Sequence, residues 1–126
     1  MMNAQRIEFR YLVTQPDLNA HGTLHGGILT KWADESAGMH ARKLTRGVCV
    51  TRFISRINFV ATSGIGSIVK IVSTVIDVGT TSITFSIIVR NDITDEILAT
   101  IDKITFVHVN EKHEPIPVPS MVFKNV

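Results

Sequence analysis

Asp34 is the side chain whose setting points most directly to chemistry. It lies about two turns after the glycine pair Gly26-Gly27, on the only long helical pattern in the chain. A polar loop, Asn19-Ala-His21-Gly22, comes just before. A carboxylate can take a proton from water or attack an acyl carbon itself. The first N–H groups of a helix lack intrahelical acceptors and can hold an anion or polarise a carbonyl oxygen. Glycine there permits the close approach such a contact needs.

The element that positions Asp34 is a helix expected over Gly26–Leu44. At about 100° per residue, Leu29, Trp32, Ala33, Ser36, Ala37, His40 and Leu44 share one broad face, which reads as the core-facing stripe. Gly27, Thr30, Asp34, Gly38 and Ala41 form a neighbouring stripe. All but the carboxylate are small, so Asp34 stands in a notch that another backbone or a ligand can enter. Thr45-Arg-Gly47 reads as the helix stop.

The remaining elements read as strands. Arg6 to Thr14 alternates, and Gln15 to Gly22 is a loop broken by Pro16 and Gly22. Val48 to Phe59 is the next strand, with Phe53, Ile57 and Phe59 on one face and Arg52, Arg56 and Asn58 on the other. Thr62 to Gly66 is a turn. Ile68–Val78 and a strand through Ile83, Phe85, Ile87 and Val89 form a hairpin closed at Gly79-Thr80. Ile97–Asn110 is the last strand. The tail through Pro115, Pro117 and Pro119 cannot pair as a central strand. One helix and five mostly meandering strands give an α+β domain spanning 1–126, an antiparallel sheet around one helix.

The residues Asn19-Ala-His-Gly-Thr-Leu-His-Gly-Gly, followed by Lys31-Trp-Ala-Asp34-Glu, resemble the signature of hotdog-fold acyl-CoA thioesterases, the YciA-like and cytosolic acyl-CoA hydrolase group. Asn58-Phe59 with Gly66 is similar to the family's strand end and turn. Val78-Gly-Thr-Thr-Ser82 resembles its Gly-Thr-Thr-Ser turn, and Glu114-Pro-Ile-Pro-Val-Pro119 its C-terminal tail. The resemblance covers nearly the whole chain, with the motifs in order. It implies a hotdog fold and hydrolysis of acyl-CoA to a free carboxylic (fatty) acid and CoA. It also implies Asn19 and Asp34 meeting from opposite subunits of a dimer, with further assembly as a trimer of dimers.

Under that resemblance Asp34 is the base or nucleophile, and the Gly26 and Gly27 N–H groups are oxyanion donors. Asn19 positions water or hydrogen-bonds the carbonyl, and His25 can orient the thioester. Trp32 and Leu29 line the acyl pocket. Gly79, Thr80, Thr81 and Ser82 offer hydroxyls and N–H groups to CoA. Arg52, Arg56, Lys70 and Arg90 are candidates for phosphate contact. Ser55-Arg56 departs from the family pattern, which often has an acidic residue there, and bears on subunit packing. The alternatives are a non-catalytic acyl-CoA-binding domain and an acyl-thioester dehydratase, in which His25 would be catalytic.

Composition narrows the function classes. The chain has 126 residues, 44% hydrophobic, net charge +2 and pI ≈ 8.9. Mixed charge of this size is not the footprint of a nucleic-acid binder. One cysteine, Cys49, allows no internal disulfide and reads as a small core residue. Ser36 lies on the core stripe, outside any Gly-x-Ser-x-Gly elbow. His21, His25, His40, His108 and His113 show no metal spacing, and no metal or separate cofactor is expected. Met1 to Arg10 lacks a signal-peptide core, and no stretch approaches a membrane span, so the expectation is a cytoplasmic protein without membrane contact. Apolar residues on a second sheet face make self-association the expected partner besides acyl-CoA.

Overall fold

A computed structural model describes residues 4–126 of the chain; Met1 to Asn3, part of the stretch tested for a signal peptide, lie outside. The strands are β1 (Arg6–Leu12), β2 (Val48–Phe59), β3 (Ile68–Val78), β4 (Ser82–Asn91) and β5 (Ile97–Val109), with α1 (Gly26–Thr45) between β1 and β2. All pairings are antiparallel, and the sheet order is β1-β3-β4-β5-β2. β3, β4 and β5 form the meander. β2, which follows the helix, crosses to the far edge beside β5 instead of pairing with β3.

The helix lies on one face of the sheet and touches all five strands. Its expected apolar stripe is the buried one: Leu29, Trp32, Ala33, Ser36, Ala37, His40 and Leu44 all face the core. Ala41, assigned to the neighbouring stripe, is fully buried as well. Phe85, Ile71, Ile83, Ile87, Leu98 and Ile104 fill the sheet side of this core.

His40 is the one histidine deep in that core. Its Nε2 meets the Ala4 carbonyl at 2.5 Å and its Nδ1 meets Ser73 Oγ at 2.9 Å. A carbonyl can only accept, so Nε2 carries the proton and Nδ1 accepts from the serine. Burial holds the imidazole below the ordinary histidine range.

Two local details differ from the sequence expectation. The helix ends on Arg46 in the left-handed conformation, φ 57°, and not on Gly47. Gly47 is required for space instead, because the His108 ring occupies the position its Cβ would take. In β2 a bulge at Arg52 breaks the register with β5 between Thr51 and Phe53, and with it the strict two-residue alternation. Phe53 and Phe59, expected to share one face, are 53% and 57% exposed. β2 is therefore a long edge strand carrying large apolar side chains, the kind of edge that a partner strand covers. Among the described residues no helix is long and apolar enough to cross a membrane.

Candidate active site

The loop before α1 is tied down by its own backbone. Asn19 N–H donates to Thr23 O at 2.8 Å, His25 N–H to Asp17 O at 2.8 Å, and Leu24 N–H to Ser63 O at 2.8 Å. Asn19 Oδ1 accepts from the His21 and Thr23 amides at 2.9 and 3.1 Å. Its Nδ2 meets Thr23 Oγ1 at 3.0 Å. An amide nitrogen has two hydrogens, so one N–H of Asn19 remains free while its oxygen is engaged. Asn19 can therefore serve a carbonyl or a water as a donor.

His25 caps the helix. Its Nδ1 accepts the Gly27 N–H at 2.8 Å. A Cβ on Gly27 would lie 2.9 Å from His25 Cε1, so the second glycine of the pair is required by the cap. The capped Gly27 N–H is occupied within the protomer. Among the described residues no acceptor is paired with the Gly26 N–H, which is the open donor at the helix start. The Phe59 ring lies against Gly26, where a Cβ would sit 3.3 Å from Cε1.

Asp34 is half-buried on the side of α1 that faces β2. Thr51 Oγ–H donates to its Oδ1 at 2.7 Å, a short, charge-assisted bond that fixes one carboxylate oxygen. Gly38, one turn further along, allows this approach. Its ideal Cβ would lie 3.3 Å from Phe106 Cε2, and Phe106 is the β5 residue paired with Thr51. Thr51 was not singled out in the sequence. Its nearness to Asp34 follows from β2 lying on the far edge of the sheet, which no local pattern encodes.

Trp32 is the residue expected beside the acyl chain. It stacks on Tyr11 of β1, at the opposite edge of the sheet, with centroids 4.8 Å apart and planes at 11°. Leu29 does line a cavity, of about 200 Å³, together with Asn19, Gly26, Phe59 and Leu98. Asp34 is not part of that wall.

The β3–β4 turn is held by Gly79 N–H donating to Ser82 O at 2.8 Å. Thr80 O accepts from Val118 N–H and Thr81 O from His108 N–H, both at 2.8 Å. The Thr80 and Thr81 hydroxyls have no partner among the described residues. Arg56, with φ 44°, turns outward; its guanidinium is 3.9 Å from Asp102 and largely in solvent. Lys70 faces Asp92 and Arg90 faces Asp95, each at 3.9 Å. Two rival nucleophiles are engaged elsewhere. Ser36 Oγ–H donates to Trp32 O at 2.8 Å. Cys49 lies 3.4 Å from Thr45 Oγ1, and burial pushes its thiol up, away from the reactive thiolate.

The thioesterase superfamily model matches residues 21–98. The cytosolic acyl coenzyme A thioester hydrolase of Rattus norvegicus is 29% identical over 117 residues, 89% of this chain and 31% of the rat protein. An uncharacterized acyl-CoA thioester hydrolase of Bacillus subtilis is 33% identical over 109 residues, 84% of this chain and 63% of that protein. The chain thus spans less than two thirds of the length of these relatives. Among solved structures, the acyl-CoA hydrolase from Staphylococcus aureus, in complex with butyryl coenzyme A and coenzyme A, aligns at a TM-score of 0.80 and 28% identity, over 94% of this chain and 71% of that one. Forms of that enzyme with a threonine, an aspartate or an asparagine replaced by alanine align at 0.82, 0.77 and 0.80. The hexameric thioesterase from Yersinia pestis aligns at 0.83 and 26% identity, over 89% of this chain and 93% of that one.

Proposed function

The chain belongs to the thioesterase superfamily, and from that premise we propose that it hydrolyses acyl-CoA thioesters to a carboxylic acid and CoA, with Asp34 as the base. The observation that carries this reading is the 2.7 Å bond from Thr51 to Asp34. It engages Oδ1 and leaves Oδ2 to accept a proton from water. The residue types replaced in the staphylococcal acyl-CoA hydrolase are an asparagine, an aspartate and a threonine. Their spacing, fifteen and then seventeen positions, is that of Asn19, Asp34 and Thr51 here.

The reaction follows from these groups. Water, losing a proton to Asp34 Oδ2, attacks the thioester carbon. The oxyanion takes the open Gly26 N–H and the free N–H of Asn19. Collapse expels CoA as a thiolate, a good leaving group because a thiol ionises near pH 8.5. The site is assembled from two protomers, Asp34 from one and the Asn19 loop from the other. The apolar edge of β2 is the surface that joins them, and three such dimers give a hexamer like that of the Yersinia pestis protein. Thr80, Thr81 and Ser82 on the β3–β4 turn contact the CoA arm. His25 serves by holding the helix start. The reading is tested by free-thiol release from short, medium, long and aromatic acyl-CoAs: release from at least one class supports it, and release from none overturns it.

A further inference from the structure

His108, which the proposed chemistry does not use, ties three segments together near the end of β5. It is 8% exposed. Its backbone N–H donates to Thr81 O at 2.8 Å, and its backbone carbonyl accepts the Ile116 N–H at 2.9 Å. Its Nδ1 lies 2.9 Å from Pro117 O. A carbonyl only accepts, so Nδ1 carries a proton and donates. Val118 N–H, next along the tail, donates to Thr80 O at 2.8 Å. The other edge of the ring packs against Gly47, where a Cβ would meet Nε2 and Cδ2. One buried residue thus joins the tail, the β3–β4 turn and the turn between α1 and β2.

The alternation of prolines explains why a side chain is needed there. Pro115, Pro117 and Pro119 have no N–H, so within 115–119 only Ile116 and Val118 can donate from the backbone. Both are spent, on His108 O and Thr80 O. The Nδ1 bond to Pro117 O falls between these two and fixes the tail where its backbone has no donor left. The Thr80 and Thr81 carbonyls are thereby engaged, while their hydroxyls have no partner among the described residues. We propose that His108 is a positioning residue for the CoA arm. Through the tail it holds the β3–β4 turn in the conformation that Thr80, Thr81 and Ser82 need to contact CoA, without touching the substrate itself. The inference rests on the thioesterase reading, with the β3–β4 turn at the CoA arm.

The experiment compares the best acyl-CoA of the panel with the N-acetylcysteamine thioester of the same acid, which keeps the reacting bond and lacks the phosphates and most of the CoA arm. It uses the assembled wild type, His108→Ala and His108→Asn, whose amide can donate from near the Nδ1 position. In His108→Ala, KM for the acyl-CoA is expected to rise roughly five- to tenfold, the loss of one buried hydrogen bond. Its kcat, and kcat/KM for the truncated thioester, are expected to stay within about twofold of the wild type. His108→Asn recovers most of the KM. A merely structural role would weaken both thioesters alike. Equal losses on both, a fall in kcat alone, or an unchanged KM in His108→Ala overturns the proposal. So does a wild type without preference for the acyl-CoA over the truncated thioester. If His108→Ala does not fold, amide exchange in the wild type decides: CoA is expected to slow exchange at His108 and Val118, and unchanged exchange overturns the proposal. Release of thiol from no acyl-CoA removes the parent reading as well, an outcome distinct from equal losses on two hydrolysed thioesters.

Discussion

Thr51 Oγ–H reaches Asp34 Oδ1 across 2.7 Å, joining the middle of the helix to the edge strand β2. A hydroxyl bound to a carboxylate contributes roughly 1.5–3 kcal/mol. In the proposed mechanism this bond fixes which oxygen faces water. Thr51→Val is expected to lower kcat about ten- to a hundredfold with a smaller change in KM, and Thr51→Ser to recover most of it. Steady-state kinetics on the three proteins checks this.

In the proposed site, Asn19 and Asp34 come from two different protomers. Phe53→Lys, on the exposed face of β2, is expected to give monomers without thioesterase activity, as read by light scattering and thiol release. Asn19→Ala and Asp34→Ala proteins, each inactive alone, should regain roughly a quarter of wild-type activity once their subunits are exchanged, because half of the dimers then hold one intact site. No recovery after verified exchange would place both residues in one protomer's site.

The glycine pair is not a uniform feature. Alanine is normally the better helix former by about 1 kcal/mol, but a Cβ at position 27 would meet the His25 ring at 2.9 Å. Gly27→Ala should therefore destabilise by roughly 1 kcal/mol or more by displacing the cap. In the His25→Ala background the same change should be neutral or stabilising. Thermal midpoints of the four proteins measure the coupling.

His40 gives the protein an acid-sensitive core. Burial lowers its pKa in the folded state, and Lys43 adds to this. The unfolded chain binds a proton near pH 6.5, where the folded chain does not. Stability is thus complete above about pH 6.5 and falls as the pH drops toward the lowered folded value, by at most about 1.4 kcal/mol per pH unit for one proton. Urea midpoints from pH 8 to 5 should show the decline, and His40→Gln should flatten it.

The helix and its apolar stripe were legible because the 3.6-residue repeat is carried by consecutive residues, from Leu29 to Leu44. The hotdog architecture was legible through the family resemblance of the Asn19–Glu35 and Val78–Ser82 motifs, and Asp34 in a stripe of small residues through the helical repeat. Periodicity puts Trp32 on the core face, but its stacking on Tyr11 at the β1 edge depends on sheet order. Thr51 was invisible because its partner is set by sheet order, which depends on β2 crossing to β5. Ser63 reads as an ordinary turn residue, since its burial is a property of the packed chain. In β2 the bulge at Arg52 shifts the register with β5 by one residue, which local alternation does not reveal.

The proposed role of the Asp34 carboxylate in thioester hydrolysis is tested by thiol release from purified Asp34→Ala and Asp34→Asn in their folded, assembled form. The expected result is a fall in kcat of at least about a hundredfold for each, the size of a lost general base. Near-wild-type turnover in either protein would contradict it.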